Sequence, residues 1–199
     1  MGDLKQAMKK RRSHYSLHND CPITDLEIKE MVDYAVTNVP SAFNSQSARV
    51  VLLLNGEHEK FWNIVIGELR KSARPENFPK AKEKIEKSFL PGKGTVLFYE
   101  DMGVVKDLQE KFPRYRENFP VWAEHTSAMH QFALWTLLAD VGMGASLQHY
   151  SPVIDGAVAR EWNLPPDWKL IAQMPFGVVS GDPASKDFLP LEGRSIYFG

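Results

Sequence analysis

Four groups of residues in this chain have types and spacing that could do chemistry. The first is Arg11, Arg12 and Ser13, which close the basic run "KKRRS". Two adjacent guanidinium groups offer forked donors and the hydroxyl adds another, a set that suits an anion such as a phosphate. The plainer reading is a solvated helix end, where cations meet the negative end of the helix dipole. The second group is Asn44 and Gln46 in "SAFNSQS", with Ser47 beside them. A carboxamide both donates and accepts, so the pair would suit a planar heterocycle edged with carbonyls and ring nitrogens. The same residues also favour turns and would cap a loop before a strand. The third is "GMGASLQHY", whose small residues let backbone approach a flat ligand, and whose glycines equally suit a helix C-cap. The fourth is Arg194, a lone cation in a greasy tail.

Other chemistries fail on spacing. Gly142 and Gly144 begin a dinucleotide-type glycine pattern, but Leu147 stands where the third glycine belongs, after a helix instead of a strand. "PGKGT" lacks the upstream glycine of a phosphate loop, and "GASLQ" lacks the second glycine of a nucleophile elbow. His125 and His130 are five apart, roughly 140° around a helix, so no metal site is expected. A net charge of −1 gives no global field for nucleic acid or an anionic membrane. No basic patch with interleaved aromatics is present either. What remains is a set of phosphate donors at both chain ends, a carboxamide pair and a small-residue strip. Those are the needs of a flavin mononucleotide, FMN.

The elements that must position these groups follow from periodicity. The 199 residues, 43% hydrophobic and 25% charged, are expected to form one domain over 1–199 with a sizeable core. Cys21 is the only cysteine, which fits a reducing compartment. With no apolar signal-peptide core and no span of membrane length, the expectation is a cytoplasmic protein. A short helix is expected from Asp3 to about Arg11. Thr24 caps a second helix, with an apolar stripe at Leu26, Ile28, Met31, Val32 and Ala35. The run Val50–Leu54 reads as a buried strand. Helices are expected over 57–72, 76–89, 102–112, 119–144 and 153–165, with strands over 94–101 and 168–183. The helix over 119–144 is apolar on most sides from Ala128 to Val141, which predicts burial all round there. Pro175 predicts an edge or a bulge in the last strand. The tail keeps Phe188, Leu189, Ile196, Tyr197 and Phe198 and must dock on something. Helices and strands without regular alternation point to α+β.

On "RRS", "PSAFNSQSARVVLL", "GMGASLQHYSP" and "SKDFLPLEGR", the chain resembles the nitroreductase family of flavin enzymes over essentially its whole length. The resemblance implies an α/β sandwich with a central, mainly antiparallel sheet flanked by helices, built as an intertwined homodimer with FMN at the interface. It implies that Arg11, Arg12 and Ser13 serve the phosphate and the pyrimidine edge. Asn44 and Gln46 would face the ring, with Ser47 alongside. Backbone of Ser146, Leu147 and Gln148 would line the ring near N5. Lys186 and Arg194 would return to the phosphate, with Arg194 the main contact. Two positions depart from many relatives: Ser47 stands where they have proline, and Tyr15 where they have a basic residue. The implied activity is reduction of nitroaromatics, quinones or related small aromatic acceptors by NADH or NADPH, in a ping-pong mechanism with the chemistry on the flavin. No nucleic-acid or membrane partner is implied. Three alternatives stay open: a flavin-binding stress or regulatory protein with little turnover, a flavin enzyme of the same fold doing other chemistry, and a non-flavin interaction module.

Overall fold

Short-range chemistry sets the first helix ends. Asp3 accepts from the Lys5 amide at the start of α1 (Leu4–Lys10). Thr24 and Glu27 form a reciprocal capping box at the start of α2 (Asp25–Asn38). In the computed structural model, which describes residues 3–199, the remaining helices are α3 (Asn55–Ser72), α4 (Phe78–Ser88), α5 (Met102–Lys111), α6 (Asn118–Asp140) and α7 (Asp155–Glu161). The strands are β1 (Leu17–His18), β2 (Ala48–Leu54), β3 (Gly94–Asp101), β4 (Met143–Ala145) and β5 (Trp168–Val179). They form one antiparallel sheet in the order β1-β5-β3-β2, with β4 also on β5. The α+β expectation therefore holds. Among the described residues no helix is long and apolar enough to cross a membrane.

Alternation along β3 divides the core in two. Val96 and Phe98 face α2 and α6, with Ile28, Val32, Leu134 and Leu138. Leu97 and Tyr99 face α3, α4 and α7, with Phe61, Trp62, Ile85 and Val158. Phe61 and Trp62 are fully buried, each contributing roughly 1.5–3 kcal/mol by area.

Three expectations need correction. The strand containing Pro175 is not at an edge. Phe176 pairs with Gly94 on one side and Ala145 on the other, so β5 is interior there. The register shift lies between Phe98 and Tyr99, away from the proline. Second, β2 is half-buried along most of its length, because among the described residues it has β3 as its only strand neighbour. Its apolar run reflects helices over both faces, not a central place. Third, α6 is not buried all round in that segment: Met129 and Phe132 are exposed.

The short strands β1 and β4 have no local signal and exist by pairing onto β5. Gly142, at φ 81, takes the chain out of α6. Gly144 then allows close approach: a Cβ there would collide with the side chains of Val179 and His14. Gly144→Ala should lower unfolding stability by about 1–3 kcal/mol, read as a lower denaturant midpoint at unchanged slope. A midpoint equal to wild type would mean that Val179 and His14 yield freely.

Candidate functional site

The N-terminal arm leaves α1 at Arg11 and lies along β4. The His14 amide donates to the Ala145 carbonyl at 3.0 Å, in a parallel bridge between Ser13 and Ala145. Arg12 Nη2 donates to the Ala184 carbonyl at 2.5 Å, tying the arm to the chain beyond β5. Between arm and chain lies a cavity of about 470 Å³ lined by Arg11, Arg12, Ser13, His14, Tyr15 and Lys186, among others. Arg11 also stacks its guanidinium over Trp135 of α6 at 4.5 Å. Burial, and then the Arg12 charge, hold His14 below its ordinary value, so the cations here are the arginines and Lys186. Arg194 does not line this cavity. Its Nη1 donates to Leu189 within the exposed tail.

The strip 146–148 lies next to the cavity, behind the bridge between Ser13 and Ala145. The Ser146 amide donates to the Pro175 carbonyl at 3.3 Å, and the Gln148 amide to Gln173 at 2.7 Å. Between them Leu147 points its amide to the opposite edge of the extended strand, and among the described residues that amide has no hydrogen-bond partner. Pro175 lacks an N–H, so the ladder cannot return a bond to the Ser146 carbonyl. That is where β4 pairing stops before resuming as an isolated bridge at Gln148. The Gln148 side chain is buried. Its Nε2 donates to Ser146 Oγ at 3.1 Å, and its Oε1 accepts from Lys84 Nζ at 3.4 Å. Lys84 also lies 5.6 Å from the centre of the Tyr15 ring. A cation from α4 thus stands beside Tyr15.

The carboxamide loop lies elsewhere. Phe43, Asn44 and Gln46 all have positive φ, at 57, 51 and 48°, a region that costs a non-glycine residue of order 1–3 kcal/mol. Phe43 stacks on Trp122 at 5.8 Å and 19° and also meets Phe112, Tyr115 and Phe119. Arg49 donates to the Gln46 carbonyl at 2.7 Å and pairs with Asp101 at 2.9 Å. Asn44 and Gln46 are both exposed. Ser47 is buried, and its hydroxyl donates to Glu100 at 2.6 Å.

The structure therefore gathers the sequence candidates into two places. Arg11, Arg12, Ser13, Lys186 and the strip 146–148 cluster around the C-terminal half of α6. Asn44, Gln46 and Ser47 sit by its N-terminal half. Trp122 and Trp135, which mark the two clusters, are separated along α6 by about 20 Å at 1.5 Å per residue. Lys84, His14 and Glu100 were not singled out by sequence. Lys84 hides in the alternating charges of "KAKEKIEKS" and gives no signal. Glu100 had one: it continues the Val96 and Phe98 core face of β3 and breaks it with a carboxyl group. Among the described residues no group of three His, Cys, Asp or Glu could hold a metal ion.

Phe43→Ala keeps the left-handed backbone but removes the ring that holds it. Stability should fall by about 1 kcal/mol or more, with a change in tryptophan emission from Trp122. Unchanged emission and melting would mean that the aromatic cluster does not anchor the loop.

Three comparisons bear on what this arrangement is. A family model described as "Nitroreductase family" matches residues 8–178. Nitroreductase FRM2 of Saccharomyces cerevisiae is 33% identical over 190 residues, covering 94% of each chain. Structures of nitroreductase CinD from Lactococcus lactis, in complex with nicotinic acid and with 4-nitrophenol, are 38% and 39% identical, with TM-scores of 0.90 and 0.87. Each covers 99% of this chain and 100% of that one. A more distant nitroreductase with bound FMN from Desulfitobacterium hafniense, 13% identical with a TM-score of 0.70 over 100% of both chains, shares the fold.

Proposed function

The chain belongs to the nitroreductase family, and on that premise we propose that it is an FMN-dependent oxidoreductase acting as a homodimer. NADH or NADPH supplies the electrons, and a nitroaromatic, a quinone or a related small aromatic compound accepts them. The observation that carries this reading is the separation along α6. Neither cluster is a flavin site alone: one has phosphate donors and a free backbone amide, the other has the carboxamides. Two copies packed head to tail on α6 would bring the Arg12 cluster of one against the Asn44 loop of its partner, making two sites per dimer.

Exposed apolar surface supports the pairing. Met129 and Phe132 on α6 and Tyr34 on α2 are exposed, as are Phe188, Tyr197 and Phe198 in the tail. Such surface on a single chain marks a protein interface. A tail that wraps its partner would also give Arg194 a route to a phosphate that its own chain does not offer.

The donor set fits FMN. Arg11, Arg12 and Lys186 line a cavity of about 470 Å³, large enough for a phosphate and the chain that carries it. The Leu147 amide is the donor of the 146–148 strip left free for the ring, and Lys84 stands next to it on Gln148. Ser47 faces Glu100, so its part is to hold the loop and not to touch the ring. FMN, when bound, would accept hydride from the nicotinamide and pass it to the acceptor, the two substrates taking turns on one open face. The CinD complexes with nicotinic acid and 4-nitrophenol support small flat aromatic ligands of both kinds.

Arg12→Ala should weaken FMN binding by several-fold to about a hundredfold, the scale of a charged hydrogen bond at roughly 1.5–3 kcal/mol. Fluorescence titration measures it, and unchanged affinity would remove Arg12 from the phosphate. The dimer assignment is tested by a doubly tagged heterodimer of Arg12→Ala and Asn44→Ala subunits. A site shared between chains leaves one intact, high-affinity FMN site per heterodimer. A site built within one chain leaves none. Initial rates with NADH or NADPH and a nitroaromatic should give parallel double-reciprocal lines. Intersecting lines would mean a ternary complex, and negligible turnover would favour a flavin-binding regulatory role.

A further inference from the structure

Away from the cationic cavity the chain buries one carboxyl group that hydride transfer does not use. Glu100 is 1% exposed. Its Oε2 accepts from Ser47 Oγ at 2.6 Å, while its Oε1, also buried, has no hydrogen-bond partner. Burying a carboxyl group with a bare oxygen costs free energy, most of all when it is ionised. An apolar side chain of similar volume would avoid that cost, so stability alone gives no reason for an acid here.

The reason lies one bond away. Ser47 closes the run Phe43–Gln46, where three residues are held at positive φ. Its Oγ is 3.4 Å from Ser45 Oγ, and its carbonyl accepts from the Asp101 amide at 2.9 Å. Arg49, on the other side, links Asp101 to the Gln46 carbonyl. Adjacent acids at the end of β3 thus hold the loop twice, Glu100 through Ser47 and Asp101 through Arg49. We infer that Glu100 is a positioning residue for the carboxamide loop, setting through Ser47, in a proton-dependent way, whether Asn44 and Gln46 stand where they can read a flavin edge. This rests on the flavin reading above and extends it to control of the same site by pH.

Four other charged groups face or flank Glu100. Glu124 on α6 and Asp101 on β3 oppose its ionisation, and Arg49 on β2 favours it. Arg49 is already committed to Asp101 and to the carbonyls of Gln46 and Ala48. Lys169, opposite on β5, is paired with Glu124 at 2.6 Å. Burial is the largest influence and outweighs the Ser47 hydrogen bond, which favours the ionised form, so the carboxyl is pushed up to about 7. A folded value raised above the unfolded one means that the protonated form supports the fold. That support is complete below the ordinary glutamate range, about 4.3, and is lost as pH rises through about 7. Above it the Ser47 bond itself is stronger, but a buried charge with a bare Oε1 costs more than that bond returns, which favours opening of the segment that covers Glu100 to water.

Hydrogen exchange of segment 41–48 in flavin-free full-length protein tests this, corrected for intrinsic rates, one pH unit below and one above that midpoint. Wild type should lose loop protection across the interval, by about tenfold at most. Glu100→Gln, neutral at both values and still able to accept from Ser47, should keep protection nearly constant. Ser47→Ala, which cuts the link and leaves the acid, should be poorly protected at both. The ratio of FMN affinities of Glu100→Gln and wild type, in which the titration of the FMN phosphate cancels, should rise over the same interval. An identical pH profile for wild type and Glu100→Gln, or unchanged exchange in Ser47→Ala, overturns the assignment. If wild type binds FMN while Glu100→Gln matches it in both readouts, the Glu100 link falls and the flavin reading stands. If wild type binds no FMN but the exchange pattern appears, the link stands and the flavin reading falls.

Discussion

Both edges of β5 are paired at its C-terminal end: Phe176 with Gly94 and Ala145, Val178 with His18 and Met143. Everything around the cationic cavity depends on that double pairing. The strand holds β4, β4 holds the N-terminal arm through the His14 amide, and the arm carries Arg11 and Arg12. Pro175 breaks the inner ladder of β4 at one point only. There the pleat leaves Ser146 bonded through its amide alone, while the Leu147 amide faces outward. A proline in an interior strand is therefore tolerated because its missing donor falls at a gap in pairing, and the gap lies beside the site.

The long helix α6 imposes the second constraint. It packs against the sheet through Leu134 and Leu138 and carries Trp122 and Trp135 under the two functional clusters. A rigid helix cannot bend these ends together, so within one chain the two clusters stay about 20 Å apart. The exposed apolar residues on α6, on α2 and in the tail lie outside the core of a single chain. Obligate dimers commonly bury over about 2,000 Å² of such surface in total.

The helices and the three longer strands were legible in the sequence because periodicity and caps are local. Thr24 with Glu27 and the alternation along β3 are examples. The elements that were not legible are those made by tertiary pairing: β1 and β4 are two and three residues long and have no pattern of their own. Burial failed in the same way, since the apolar run of β2 and the greasy face of α6 report covering by something without saying by what. For the site, residue chemistry picked out motifs by type but could not show that the topology sets the arginine pair and the carboxamides at opposite ends of one helix, with Arg194 apart in the tail. Nor does anything local show that a carboxyl group, Glu100, lies beneath Ser47. Lys84 was invisible for a simpler reason: one lysine among several on a solvated helix looks like the rest.

The carboxamide loop shows how narrowly such a site is held. Three non-glycine residues in the left-handed region each cost of order 1–3 kcal/mol. Against them stand the hydrogen bonds of Arg49 to Gln46 and of Ser47 to Glu100, at roughly 1.5–3 kcal/mol where a charged group is involved. The aromatic contacts of Phe43 add about 0.5–1.5 kcal/mol per pair. The two sides are of the same order, so the loop keeps its shape only while its anchors are intact. A loop with a large surplus would ignore the state of a single carboxyl group. One balanced this closely responds to the charge on the carboxyl beneath Ser47, because Asn44 and Gln46 are held by backbone angles that no local preference maintains.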